Sequence, residues 1–275
     1  MPYARAPLYM LLVIGVTLLG FWPSYFGVLG TAPWPFHAHG VAAGLWILMV
    51  TAQGVTARWR WFGLHHAIGR ASLLLFPFLI AGLFAIIDFT SKSYVAGNDP
   101  VRALYGGAFL IGLMIAVGAY LVLFHGALRH RRKVWLHAGY MLATPLILWE
   151  SPFSRVLNGV VPALGIAGPQ DFPHILSAIL WADLSALLFC LAVRWRVGPR
   201  AQPFVVAAGF ILAQMGAMAF LGNAPPVLAL LTLLGRMPSA AVIAVGFAIG
   251  AATSWLGWQA GKTGARPGAR VAKLA

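Results

Sequence analysis

The chain has 275 residues, of which 61% are apolar and only 9% are charged. A soluble domain is roughly half apolar and about a quarter charged, so this composition excludes an ordinary soluble protein and also the disordered, collagen-like and coiled-coil classes. The net charge of +14 would suggest a nucleic-acid partner in a soluble protein. The single Cys190 excludes a disulfide framework and a cysteine metal cluster. The remaining class is a polytopic membrane protein, for which no nucleic-acid partner is expected.

Apolar stretches long enough to cross a bilayer occur eight times along the chain. A transmembrane helix needs about 20 mostly apolar residues, whereas the strands of an outer-membrane barrel would be about half as long and alternating. The sequence therefore predicts an all-α, polytopic integral membrane helix bundle that forms a single domain over residues 1–275. The eight predicted spans are Leu8–Leu29, His39–Ala57, Ala67–Ile87, Ala103–Phe124, Val134–Trp149, Pro173–Val193, Pro203–Leu221 and Ser239–Trp258.

Within this domain we expect a histidine-bearing core bundle over residues 36–194, which contains spans two to six. Residues 195–258 would add two further transmembrane helices, and residues 259–275 a basic cytoplasmic tail. Between spans five and six, Phe153–Gly168 is apolar but broken by Asn158, Gly159 and Pro162. This segment is predicted to lie on the outer face or to dip into it.

The placement of basic residues predicts the orientation. Four of the 19, Lys92, Arg102, Arg155 and Arg236, lie in one set of connections, and the other 15 lie in the alternate set and in the two terminal segments. Because Lys and Arg concentrate in cytoplasmic loops, both termini are predicted to be cytoplasmic, in the inner membrane of a bacterium. Anionic lipid headgroups are the expected partners of this basic face.

One acidic residue stands apart from the others. Four acids are assigned to the outer connections, where they balance the four basic residues: Asp88, Asp99, Glu150 and Asp171. The fifth, Asp183, lies near the centre of the sixth span, where an ionisable group costs several kcal/mol unless it is paired or protonated. Gln53 and Gln214 are candidate hydrogen-bond partners. Asp183 is therefore predicted either to handle protons or substrate, or to form a protonated helix–helix contact.

The eight histidines fall into two layers at the predicted interfaces. The inner layer holds His65, His66, His125, His130 and His137, and the outer layer holds His37, His39 and His174. Imidazole ligates b-type haem and also Zn or Cu. On that reading, His65 or His66 pairs with His137 at the inner face, and His37 or His39 pairs with His174 at the outer face.

Other interpretations of these histidines remain open. His37, His39 and His174 could instead hold a metal ion on the outer face, together with Asp171 and Glu150. A third interpretation takes all of them as interfacial residues with an apolar body and a polar tip, and a fourth as proton carriers without a cofactor.

Two cytoplasmic segments read alike and suggest an internal repeat. Trp59–His66 and Arg131–His137 each place basic residues, a tryptophan and Leu-His before a span with an internal proline. A parallel repeat would place His65 and His137 at the same depth in the membrane.

The segment Phe36-His37-Ala38-His39-Gly40, followed by Trp46, Gln53, Arg58 and Leu64-His65-His66-Ala67-Ile68-Gly69-Arg70, resembles a group of uncharacterised bacterial polytopic inner-membrane proteins. Their pattern is an H-x-H helix start, a W and a Q in that helix, and an L-H-x-x-x-G start to the next. Leu136–Thr144 is similar to their H-R-R-L-M segment, with Ala138 and Gly139 in place of the basic pair. The resemblance covers about Phe36–Asp183 and implies a shared membrane fold without a settled activity.

A looser resemblance is to diheme b-type cytochromes that are linked to ascorbate or quinol. It implies a four-helix core with histidine pairs at two depths. The inner pair fits this pattern. The outer pair departs from it, because the only histidine of the fourth span is His125, at the inner end.

Three functions follow as hypotheses. The first is a b-type haem electron-transfer protein that links the quinone pool to an acceptor at one face. The second is a structural or accessory subunit of a respiratory or photosynthetic membrane complex. The third is a proton-coupled small-molecule transporter that uses Asp183. Haem b and the absence of any cofactor are both kept open, and quinone and other membrane subunits are candidate partners.

Overall fold

The computed structural model describes residues 3–263, over which the chain forms nine α-helices and no β-strand. Short turns and 3₁₀ segments join the helices. The all-α prediction is confirmed for this part of the chain, and residues 264–275 of the predicted basic tail lie outside the described residues. The helices are α1 (Ala6–Phe21), α2 (Trp34–Arg58), α3 (Phe62–Ala96), α4 (Pro100–Arg129), α5 (Val134–Val160), α6 (Pro173–Val197), α7 (Gln202–Leu221), α8 (Pro225–Arg236) and α9 (Ser239–Thr263).

Five helical stretches are long and apolar enough to cross a membrane, and they are Trp34–Arg58, Phe62–Ala96, Pro100–Arg129, Pro169–Leu221 and Ser239–Lys262. Large apolar side chains also remain exposed on the helices. Leu19, Leu74 and Phe220, for example, are 69%, 73% and 86% exposed. Soluble monomers rarely expose large apolar patches, so the surface is compatible with a multi-pass membrane protein.

Several helix bounds differ from the predicted spans. The first span was predicted to reach Leu29, but α1 ends at Phe21 and a 3₁₀ segment, Phe26–Thr31, follows it. The fifth span was predicted to end at Trp149, but α5 continues to Val160. The first part of Phe153–Gly168 is therefore helical and does not form a separate surface segment. The prediction stopped where Glu150 and Ser151 interrupted the apolar run, whereas packing in the bundle extends helices past such residues.

The short helix α8 was not predicted. Its 12 residues begin with Pro225, a residue favoured at the first helical position. Leu231 is fully buried, and its side chain reaches Gly106 of α4. Leu228 lies close to Gly107 on the same helix. A spacing of three residues between these leucines is the sequence signal that indicates such a helix.

The bundle is organised around α3, α4 and α5. Helix α3 packs against α2, α4, α8 and α9. Helix α4 packs against α5 and α7 as well as α3, and α5 packs against α1, α6 and α7. The two helices predicted as an addition are packed into this arrangement: α7 supplies Phe204, Ala207 and Ile211 to the main core, and Gly250 of α9 lies against Pro77 of α3.

A hydrogen-bonded cluster joins α2, α4 and α5 at the centre of the core. The fully buried Trp46 donates from Nε1 to the Thr144 hydroxyl at 2.9 Å. Tyr120 donates to the Thr144 carbonyl at 2.9 Å. The Thr144 hydroxyl in turn donates to the Met141 carbonyl at 2.8 Å, which lacks its usual helical donor because Pro145 has no N–H. The cluster thus repairs the break that this proline makes in α5.

Candidate functional site

A cavity of about 1290 Å³ opens at the end of the bundle where α2 and α4 finish and α3 and α5 begin. This volume is above the roughly 300–1,000 Å³ of typical small-molecule pockets. The residues that line it include three histidines and five arginines but, among the described residues, no acidic side chain. The histidines and arginines are His65, His66, His137, Arg58, Arg60, Arg70, Arg131 and Arg132.

The predicted inner histidines meet in this cavity. The ring centroids of His65 and His137 are 6.5 Å apart, with the planes at 78°, and those of His65 and His66 are 6.0 Å apart. Nδ1 of His137 lies 2.9 Å from the Ala127 carbonyl. Because a carbonyl only accepts, Nδ1 carries the proton of a neutral ring and Nε2 keeps a free lone pair. His137 is therefore oriented as a metal-ligating imidazole usually is.

Polar groups at the end of α2 hold the start of α3. Gln53 donates from Nε2 to the backbone carbonyl of His65 at 3.1 Å. The Thr56 hydroxyl lies 3.5 Å from Nδ1 of the same histidine. Gln53 therefore forms its hydrogen bond with His65 and not with Asp183, for which it was a candidate partner.

The end of the bundle that holds the cavity carries an excess of positive charge. Burial lowers the pKa of His130, and the neighbouring Arg129 and Lys133 lower it further. The guanidinium of Arg131 lies 4.4 Å from the ring centroid of Trp258 and donates to the carbonyl of that residue at 2.9 Å. A cationic cleft of this kind attracts anionic groups.

Arg60 is held in a strained backbone conformation beside the cavity. Its φ is +62°, in the left-handed region that favours glycine, and the next N–H, that of Trp61, donates to the Thr56 carbonyl at 2.9 Å. A non-glycine residue there costs about 1–2 kcal/mol. This conformation and the Trp61 hydrogen bond end helix α2 in a Schellman motif, and Arg60 is among the residues that line the cavity.

The outer histidines have different surroundings. Nδ1 of His37 is hydrogen bonded with the Tyr25 hydroxyl at 3.0 Å, and Nδ1 of His174 with the Gly165 carbonyl at 2.7 Å. Nδ1 of His39 is buried without a hydrogen bond. Within residues 3–263 no group of three or more His, Cys, Asp or Glu side chains could hold a metal ion, so the structure does not bring together the predicted outer metal site of His37, His39 and His174 with Asp171 and Glu150.

The predicted mid-membrane acid has a neighbour that the sequence prediction placed elsewhere. Asp183 on α6 is only 2% exposed. Gln214 of α7 donates to Oε2 of Glu150 at 3.2 Å rather than to Asp183. The placement of Glu150 in an outer connection was wrong, because α5 continues for ten residues beyond it. The longer helix brings a second carboxyl into the bundle.

Comparisons of the chain with protein-family models, curated proteins and solved structures find no match. The resemblances to bacterial inner-membrane proteins and to diheme cytochromes therefore stay predictions, and the chemistry of the cavity is interpreted from its own residues.

Proposed function

We propose that the chain is a multi-pass protein of the bacterial inner membrane in which eight helices cross the bilayer and both termini are cytoplasmic. The ninth helix, α8, has 12 residues and is about 18 Å long, which is too short for a hydrocarbon core of about 30 Å. The remaining eight helices, among which α1 is the shortest with 16 residues, would give an even number of spans. The concentration of arginine around the cavity supports a cytoplasmic location for that end.

We further propose that the cavity binds a b-type haem, which His65 and His137 would hold. The observation that carries this proposal is the 6.5 Å between the two imidazole centroids. With metal–nitrogen bonds of about 2 Å, two imidazoles on opposite sides of one iron have ring centroids roughly 6 Å apart. The rings therefore stand near the separation that haem ligation needs.

The other residues of the cavity fit the remaining parts of a haem. His137 presents a free Nε2 because its Nδ1 is bonded to the Ala127 carbonyl. The five arginines are suited to the two propionates, since guanidinium groups form strong bidentate bonds with carboxylates. His66 lies beside His65 and is the alternative ligand on that helix. When bound, haem supplies one-electron redox chemistry, which would let the protein pass electrons between the quinone pool and an acceptor at one face.

A reduced-minus-oxidised visible spectrum of the purified protein, supplied with haem during expression, tests this proposal. The wild type should show a Soret band that shifts on reduction with dithionite. His65→Ala and His137→Ala should each lose it. His125→Ala is the matched control, because this histidine does not line the cavity and its backbone lies against Gly257 of α9.

Two results would overturn the proposal. One is a wild-type protein without any Soret band, and the other is an unchanged spectrum in both His65→Ala and His137→Ala. In the first case the alternative of an accessory subunit would be pursued through proteins that co-purify after gentle solubilisation. The second, outer haem with His39 and His174 stays a prediction.

A further inference from the structure

Three polar side chains from neighbouring helices meet in the middle of the bundle, away from the cavity. Glu150 belongs to α5, Asp183 to α6 and Gln214 to α7, and these three helices pack against one another. Asp183 is ten residues from the start of its helix, which is about 15 Å. Glu150 is ten residues from the end of α5. In a spanning bundle, both carboxyls therefore lie near mid-membrane.

The contacts leave one carboxyl without a hydrogen-bond donor. Gln214 donates to Oε2 of Glu150 at 3.2 Å. Asp183 is 98% buried, interacts electrostatically with Glu150, and has no hydrogen-bond partner at its buried Oδ2. An oxygen buried in this way is costly unless a proton occupies it or a partner reaches it.

Glu150 and Asp183 have fewer positive charges around them than the two negative charges they could carry. Arg155, five residues further along the same helix, acts electrostatically on the Glu150 carboxyl, while its exposed guanidinium donates to the carbonyl and hydroxyl of Ser151. Arg102, which also acts on Arg155, already forms an ion pair with Asp99. A buried carboxyl, that of Asp183, and a half-buried one, that of Glu150, therefore face one available cation, and such neighbours do not both ionise.

We propose that Glu150 and Asp183 share one proton and form a membrane-embedded proton-binding site, whose single negative charge is balanced by Arg155. The proton would occupy the position beside Oδ2 of Asp183 that no donor fills. Gln214 fixes the second carboxyl by its hydrogen bond. This site is independent of the proposed haem, because none of its residues lines the cavity.

Infrared difference spectroscopy of the protein in lipid nanodiscs, recorded over a pH series, tests the proposal. The wild type should show a carbonyl band of a protonated carboxyl at neutral pH. Because the proton is shared, the band should disappear both in Asp183→Asn and in Glu150→Gln, since the carboxyl that remains ionises opposite Arg155. In Arg155→Gln neither carboxyl has a cation, and the band should grow about twofold.

Asp88→Asn is the matched control and should leave the band unchanged, because Asp88 is equally buried but pairs with Lys92. Size-exclusion profiles establish whether each variant folds. If Glu150→Gln does not fold, the result for Arg155→Gln decides the question. A band that survives in Glu150→Gln would mean that burial alone keeps Asp183 protonated. That result, the absence of a band in the wild type, or an unchanged band in Arg155→Gln would each overturn the shared site.

Discussion

Replacing Thr144 with valine removes one buried hydroxyl and leaves the shape of the side chain nearly unchanged. That hydroxyl accepts from Trp46 Nε1 at 2.9 Å and donates to the Met141 carbonyl at 2.8 Å. Both Thr144 and Trp46 are fully buried. Valine would therefore leave one donor and one acceptor without partners, and Pro145 has no N–H with which to satisfy the freed carbonyl.

The magnitude follows from these two orphaned groups. An unsatisfied buried group costs about 1–3 kcal/mol in soluble proteins, whereas hydrogen bonds between membrane helices are worth about 0.6 kcal/mol on average and at most about 1.7 kcal/mol. Thr144→Val should therefore lower the free energy of unfolding by about 2 kcal/mol. In a Pro145→Ala background the restored N–H can reach Met141, so the same substitution should cost about 1 kcal/mol less.

Reversible unfolding in mixed micelles, followed as the fraction of denaturing detergent rises, measures these free energies. Thr144→Ser is the control, because it keeps the hydroxyl and loses only a methyl group, worth about 1 kcal/mol. The reasoning would be refuted if Thr144→Val stayed within about 0.5 kcal/mol of the wild type. An equal cost of this substitution with and without Pro145 would refute the part that concerns the proline.

Two further predictions concern helix packing and helix capping. Gly20→Ala should lower the thermal stability, because a Cβ there would overlap the carbonyl oxygen of Pro152 where α1 meets α5, whereas Gly15→Ala, which faces open space, should not; equal melting temperatures would contradict this. At the N-cap of α4, burial acts to raise the pKa of Asp99, but the hydrogen bonds and charge of Arg102 outweigh it and lower this pKa. Its stabilisation is therefore present above the ordinary carboxyl pKa of about 3.9 and lost as the pH falls through the lowered value. Asp99→Asn keeps a capping side chain and should remove this acid-dependent loss in pH-resolved thermal melts, and a melt as acid-sensitive as that of the wild type would exclude this role.

The helices could be predicted because a run of consecutive apolar residues is visible in the sequence itself. Apolar runs predicted helices at eight positions, and the bounds of α6 and α7 agree with the predicted spans to within a few residues. The bounds failed where polar residues continue a helix, as at Glu150 in α5. Hydropathy detects the lipid-facing part of a helix, whereas burial against neighbouring helices extends it.

The candidate sites could be predicted only in part, since they depend on contacts between helices. His65 and His137 were paired because both follow a basic segment at the start of a helix, and they do line one cavity. The partners of the two glutamines could not be predicted. Gln53 could face any neighbouring helix, and Gln214 bonds to Glu150, an acid that the sequence prediction placed outside the membrane. No local pattern carries such information.

Helix α5 links the two proposed sites, and its geometry determines how strongly they interact. It carries His137 near one end and Glu150 thirteen residues later, which is about 20 Å along the axis. At an effective dielectric constant of about 20, unit charges at that separation interact by about 0.8 kcal/mol. A change of charge at the carboxyl pair would therefore shift the redox equilibrium of a haem in the cavity only slightly. Each site can be lost without the other, so the infrared band should persist in His137→Ala and the Soret band in Glu150→Gln.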